Sequence, residues 1–282
     1  MPLPLPASLS PSKVSSFTDC GLAFRFSTID LLPEPPSLPA FRGTLVHAAL
    51  ERLFCLEPAQ RTASVAARCL AEAMVELRPH SEMVALDLDA DGEAALLAEA
   101  QILLDNYFRL EDPTGITPIG IELKLEVEVD GVRLRGIIDR LELDDDGELV
   151  VTDYKSGRAP SEQYEQARLT GVAFYSLLCE RIFGRRPAKV QLLYLADPLA
   201  IISVPTDRST RGVERRVGAV WSAVERACAQ EDFRPKPGRL CEWCGFKAYC
   251  PAFGGDIALA DAHRVELQAR REAERADLAV TV

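Results

Sequence analysis

Two apolar runs joined by an acidic turn constrain this chain more than any other stretch. The first contains Gly136-Ile137-Ile138-Asp139-Arg140, the second ends in Val150-Val151-Thr152-Asp153-Tyr154-Lys155, and Asp144-Asp145-Asp146-Gly147 lies between them. Asp and Gly in that cluster are turn formers, so the spacing predicts two adjacent antiparallel strands. Side chains two apart on a strand share a face, which puts Asp153 and Lys155 together and turns Tyr154 away. With Asp139 opposite them, two carboxylates and one ammonium meet on one patch. Paired carboxylates hold a hard divalent cation through oxygen, and a lysine beside them orients or helps activate a water. These are tools for phosphodiester hydrolysis. An Asp-X-Lys tripeptide on its own carries little information; the upstream Asp139, a helical histidine and a cysteine cluster give it weight.

The flanking pattern extends the sheet. Ile121 to Val129 alternates apolar and polar residues, Asp130-Gly131 is a tight hairpin signal, and Val132 to Leu143 returns with Gly136 as a possible bulge. With Glu148 to Lys155 as the third strand, the order is a meander with Asp139 on its middle strand. Glu122 falls on the polar face of the first strand, either as a further metal ligand or as one of three alternating surface glutamates with Glu126 and Glu128. A long helix is expected over 161–183, carrying Gln163, Tyr164, Gln166 and Tyr175. A buried strand over 189–195, a partner at 201–204 and a helix over 209–229 follow. Strand, helix, strand after a meander predicts an α/β fold with a mixed sheet flanked by helices.

Upstream, Ser12 to Cys20 reads as a short Ser-capped helix, and the prolines at 33, 35, 36 and 39 predict a loop. Gly43 to Phe54 is a helix with a broad apolar stripe, on which His47 and Glu51 are four apart and share a face. A helical histidine is ordinarily structural, but beside a carboxylate site it is a candidate ligand. Residues 62–78 and 92–109 form two helical patterns joined by a polar acidic loop, a helical insertion or lid without evident chemistry.

The chain has 282 residues and is 48% hydrophobic, enough for a real core. No apolar run approaches the roughly 20 residues of a membrane span, and Met1-Pro2-Leu3-Pro4-Leu5-Pro6 lacks the features of a secretory signal. A cytoplasmic protein with no membrane partner is expected, so its 8 cysteines are not expected to form disulfides. Cys241, Cys244 and Cys250 fall within ten positions and call for a soft metal or a cluster. Cys20 is the best candidate for a fourth ligand, since Cys55, Cys69, Cys179 and Cys228 lie in apolar helical patterns and read as packing residues. Zinc and an iron–sulfur cluster both suit four thiolates. The net charge of −11 argues against indiscriminate binding to polyanions but leaves room for a local basic groove, for which Arg181, Arg185, Arg186 and Lys189, then Arg208, Arg211, Arg215 and Arg216, then Arg234, Lys236, Arg239 and Lys247 are candidates, each group equally compatible with a solvated face. Residues 255–278 read as an exposed charged helix or tail.

Taken together, Ser12 to Cys20, Gly43-Thr44-Leu45-Val46-His47, Gly136 to Arg140, Asp153-Tyr154-Lys155-Ser156-Gly157 and the three clustered cysteines resemble the RecB-family exonucleases of the PD-(D/E)XK superfamily. The likeness is to the members with an iron–sulfur staple, and extends to the nuclease domains of AddAB helicase–nucleases and to CRISPR adaptation nucleases. It implies a restriction-endonuclease-like core and Mg²⁺ or Mn²⁺ at His47, Asp139 and Asp153, with Lys155 as the catalytic lysine. It also implies a [4Fe–4S] cluster on Cys20, Cys241, Cys244 and Cys250, and DNA as substrate. The family often has a Gln four residues before the helical Tyr175, where this chain has Gly171; Gln166 or Gln163 is the substitute. The matching segments divide the chain into an N-terminal segment 1–42, a helical region 43–120, a nuclease core 121–232, a cysteine segment 233–254 and a charged tail 255–282.

The expected activity is metal-dependent exonucleolytic hydrolysis of DNA in repair or recombination, with a preference for single-stranded ends. Gly171 keeps a second possibility in view, a catalytically weak or inactive DNA-binding or scaffolding subunit of a helicase–nuclease assembly. A redox regulator sensing through the cluster is a third, which no residue requires. No phosphate-binding Gly-x-x-x-x-Gly-Lys-Ser/Thr loop is present, so a helicase motor has to be a separate protein.

Overall fold

The computed structural model describes residues 2–159 and 162–280, with backbone alone at 162–170, 172 and 274–280. Helices α1 (Pro11–Asp19) and α2 (Gly21–Phe24) are followed by a π-helical turn, Arg25–Ile29. Then come α3 (Leu38–Phe54), α4 (Ala63–Leu77), α5 (Ser81–Leu86) and α6 (Ala90–Tyr107). Strands β1 (Pro118–Val129), β2 (Val132–Leu143) and β3 (Leu149–Lys155) lead to α7 (Glu162–Phe183), β4 (Lys189–Tyr194) and β5 (Leu199–Ser203). Helix α8 (Asp207–Gln230), short 3₁₀ turns at 239–243, 247–249 and 251–253, and α9 (Ile257–Val280) complete the chain.

The five strands form one mixed sheet in the order β1-β2-β3-β4-β5, as the α/β reading anticipates. β2 pairs antiparallel with β3 from Leu143↔Leu149 to Arg140↔Thr152, and β3 runs parallel to β4. A parallel pair needs a crossover, and α7 supplies it. Six of the seven β3 residues are buried, the consequence of a central strand covered on both faces.

The chain divides into two compact units, one of Met1–Pro35, Glu128–Leu134 and Arg215–Val282, the other of Pro36–Val127 and Arg135–Glu214. In the second, here the middle unit, the apolar stripe of α3 (Leu45, Ala49, Leu53) joins Leu70, Met74, Leu103, Leu104 and Leu193 in one core. In the first, the terminal unit, Leu22, Phe24, Phe26, Val224, Phe233, Phe246 and Ala260 make a separate core.

Four expectations are corrected. Helix α3 begins at Leu38 rather than after the prolines, because Pro39 sits in the first turn, where its missing N–H costs nothing. The acidic connection after α4 contains helix α5. Cys55 caps the C-terminus of α3 and is exposed, whereas Cys69, Cys179 and Cys228 are buried. The start of α9 is anchored rather than loose. Ala260 is buried, and Asp261 and Arg264 join Arg25 and the fully buried Asp30 in an ion-pair network. The contact combines this small apolar patch with paired charges, and neither stands out in a segment that reads as charged and exposed.

Candidate active site

Helix α3 brings a histidine to the sheet through a glycine. A Cβ on Gly43 would lie 2.8 Å from Ser156 Oγ, so only glycine lets this turn approach the end of β3 so closely. One turn on, His47 Nε2 lies 3.1 Å from the carbonyl oxygen of Tyr154. A carbonyl only accepts, so Nε2 carries the proton and the lone pair of the neutral ring is on Nδ1. That Nδ1 lies 3.6 Å from Asp139 Oδ2 and 3.7 Å from Glu122 Oε1. The ligand atoms of His47, Glu122 and Asp139 all fall within 4.8 Å of one another. One imidazole nitrogen and two carboxylate oxygens form a donor set that fits Mg²⁺ or Mn²⁺.

Glu122 arrives there by a break in the pleat. Its φ is +45°, in the left-handed region where a non-glycine residue is strained. Lys124, Glu126 and Glu128 stay exposed, as strict alternation demands, while Glu122 is half-buried. Of the two readings open for Glu122, surface glutamate or further ligand, its place beside His47 and Asp139 goes with the second.

The β2–β3 ladder carries Asp139 and Asp153 one step past its last pair, Arg140↔Thr152. Asp139 Oδ2 accepts the backbone N–H of Tyr154 at 2.6 Å. Burial first, and then the charge of Asp153, push the Asp139 carboxyl up to about 7. Burial works against protonation of His47, but the neighbouring carboxylates of Glu122 and Asp139 outweigh it and raise the imidazole pKa. Asp153 is engaged elsewhere. One of its oxygens pairs with Lys155 Nζ, and the other accepts from Tyr175 O–H at 3.3 Å. The structure thus brings His47, Asp139 and Glu122 into one group, with the Asp153–Lys155–Tyr175 trio beside it. Burial and the negative charge of Asp153 push the Tyr175 phenol well above its ordinary range, so it stays a donor.

Tyr175 reaches the site because α7 lies close on β2. A Cβ at Gly136 would meet Leu178 Cδ1 at 2.6 Å and the Tyr175 ring at 3.4 Å. Gly136 is there for this close approach. Glu51 lies apart, exposed on α3 along a groove with Arg52, Arg68 and Glu72. Gly171 is half-buried on α7; the side chains of Gln163 and Gln166 lie outside the described residues.

On the opposite face of the same strands, Arg140 is fully buried and sequence reasoning gave it no role. Its guanidinium grips both oxygens of Glu111 at 2.8 Å, Glu142 at 2.6 Å, Thr152 Oγ1 at 3.1 Å and Tyr154 Oη at 2.8 Å. It also lies 4.8 Å over the Phe54 ring. Gln191 donates to Glu111 and Thr152 from β4. Arg140 therefore fixes the side chain of Tyr154, whose backbone N–H and carbonyl hold Asp139 and His47. The signal available in the sequence was an arginine inside an apolar strand, which needs buried carboxylates to sit there.

The four candidate cluster cysteines all belong to the terminal unit, where Cys20, Cys244 and Cys250 pack against its core. Cys20 Sγ accepts the backbone N–H of Lys236 and Cys241 Sγ that of Gly238, each at 3.4 Å. Amide donors to sulfur suit thiolate ligands. Among the described residues, no helix is long and apolar enough to cross a membrane.

The sequence model of the PD-(D/E)XK nuclease superfamily matches residues 8–251. The Gene 69 protein of Mycobacterium phage D29 is 24% identical over 266 residues, which is 86% of this chain and 96% of that protein. The Gene 69 protein of Mycobacterium phage L5 is 29% identical over 136 residues, 47% of this chain and 44% of its own length. A crystal structure of a candidate exonuclease from Eubacterium rectale superposes with a TM-score of 0.57 at 12% identity, covering 84% of this chain and 87% of that one. At that identity the likeness speaks for the fold.

Proposed function

The chain belongs to the PD-(D/E)XK nuclease superfamily, and from that footing we propose that it is a Mg²⁺- or Mn²⁺-dependent deoxyribonuclease acting as an exonuclease on single-stranded ends. The observation that carries this reading is the convergence of His47, Glu122 and Asp139 beside the Asp153–Lys155 pair. His47, Glu122 and Asp139 hold the cation, with Asp153 completing the carboxylate set. When bound, the cation supplies Lewis acidity toward the scissile phosphate and the attacking water. Tyr154 N–H keeps Asp139 aimed, and Tyr175 O–H does the same for Asp153. Lys155, partly exposed at the end of β3, positions the attacking water and faces the charge that develops on phosphate.

In the terminal unit, Cys20, Cys241, Cys244 and Cys250 bind a [4Fe–4S] cluster as a structural staple, in the manner of the RecB-family members. The shared core and the two N–H···S bonds support this assignment. Removing the cluster unfolds the terminal unit; unchanged thermal stability afterwards would sink the idea. The work of such an enzyme lies in DNA repair or recombination in the cytoplasm, beside a separate helicase.

The test is digestion of end-labelled single- and double-stranded DNA by anaerobically purified protein with Mg²⁺ or Mn²⁺, beside Asp153→Ala and Lys155→Ala. Cation-dependent cleavage lost in both variants is expected, with a ladder from one end. A folded, brown wild type that binds DNA and leaves it intact would hand the protein to the scaffolding role that Gly171 keeps in view.

A further inference from the structure

The cysteine-rich segment exposes aromatic surface amid positive charge. Residues 234–250 carry Arg234, Lys236, Arg239 and Lys247 against one acid, Glu242, in a chain of net charge −11. Trp243 is 73% exposed, Leu240 61% and Phe253 50%. These residues adjoin. Lys247 Nζ donates to the Glu242 carbonyl at 3.1 Å and lies 5.9 Å over the Phe253 ring. Trp243 follows Glu242 directly, and Arg239 opens the same 3₁₀ turn. Among the described residues, no carboxylate pairs with Arg239.

The platform beneath is held in place. Phe246 is buried with its ring 5.7 Å from Phe26, and a Cβ on Gly245 would lie 2.6 Å from Pro35 Cδ. The indole is therefore left in water by a turn that is itself anchored. Protein interfaces deplete lysine in their cores, whereas a stacking ring among cations is what binds a single strand, base on ring and phosphate on cation.

We propose that Trp243, Arg239 and Lys247 form a holding surface for single-stranded DNA, with Trp243 stacking on a base and the two cations facing phosphates. The proposal rests on the nuclease reading only for the identity of the polyanion.

Two measurements on the full chain test it, both in an Asp153→Ala background that prevents digestion. The first is fluorescence anisotropy with a labelled oligothymidylate. Trp243→Leu should weaken binding by roughly tenfold, the effect of losing one stacked base, while Trp243→Phe retains most of it. Arg239→Gln should lower the slope of log affinity on log salt by ~0.7, one phosphate contact to a single strand. The second uses Trp221→Phe, which leaves Trp243 as the sole indole of the 2 in the chain; its emission should be quenched by the oligonucleotide. Leucine and phenylalanine variants that bind alike, or an emission that ignores bound DNA, overturn the proposal. If wild type still cleaves DNA in that case, the nuclease reading survives. Quenching and the leucine defect in a wild type that never cleaves support the surface and defeat the nuclease reading. A chain that neither binds nor cleaves DNA defeats both.

Discussion

The two faces of the β2–β3 pair both gather carboxylates and treat them in opposite ways. Behind the strands, Glu111 and Glu142 are met by every arm of the Arg140 guanidinium, and Gln191, Thr152 and Tyr154 complete the network. In front, Glu122, Asp139 and Asp153 face Lys155 and an imidazole whose Nδ1 bears a lone pair. On the rear face both carboxylates are hydrogen-bonded to the guanidinium, and the network serves as structure. The front face gathers carboxylates around an aimed nitrogen, a donor set of the kind that fits a divalent cation. Tyr154 couples the two, its side chain held behind and its backbone holding His47 and Asp139 in front.

The largest effect should come from breaking the rear face. Arg140→Met leaves the largely buried Glu111 and Glu142 without their countercharge, a loss of ~3–5 kcal/mol. Urea unfolding measures it, and a change below ~1 kcal/mol would show that the network carries little of the fold's stability. On the front face the loss should fall on catalysis instead. Lys155→Ala should cut cleavage by ~10²–10³-fold with the melting temperature nearly unchanged, since the Lys155 side chain is 39% exposed. If the two variants exchanged phenotypes, the distinction between the faces would fail.

A pH series sharpens the contrast. The Asp139 carboxyl is raised to about 7 in the fold. A raised group contributes stability that is present below its unfolded pKa and lost as pH climbs through its folded value. In chelator, stability should thus decline from about pH 4 to 7, where the unfolded carboxyl titrates at the low end. His47, also raised, extends the decline above its ordinary range. Denaturant titration from pH 4.5 to 8.5 should show this fall. Added Mg²⁺ should abolish it, and Asp139→Asn should flatten it. A chelator-treated wild type as stable at pH 8 as at pH 5 would contradict the assignment.

The smallest effect belongs to Tyr175. Tyr175→Phe deletes one hydrogen bond to Asp153 and should lower cation affinity or cleavage by roughly 10-fold, the low end for a partner behind a ligand. Isothermal titration with Mn²⁺ separates affinity from rate.

Local pattern carried much of this molecule. Alternation and the Asp-Gly turns located β1 to β3, and the two-residue period placed Asp153 and Lys155 on one face, where they pair. Spacing singled out Cys241, Cys244 and Cys250, elimination of the helical cysteines added Cys20, and all four lie in one unit. Such features depend on a few consecutive residues, and chain geometry repeats them wherever the pattern occurs. What joins distant segments was not legible. The left-handed Glu122 departs from alternation for the sake of His47 and Asp139, residues 75 positions before it and 17 after it. Arg140 had no role in the sequence reading; Glu111 and Glu142 come to it only in the folded chain. Burial and the like charge of Asp153, which lift Asp139 to about 7, arise only when the chain closes around it. The sequence by itself determined the strands and the Asp-X-Lys face. Tertiary structure decided which carboxylates meet the Arg140 guanidinium and which gather around His47, because that depends on long-range proximity and dielectric environment, which no local period encodes.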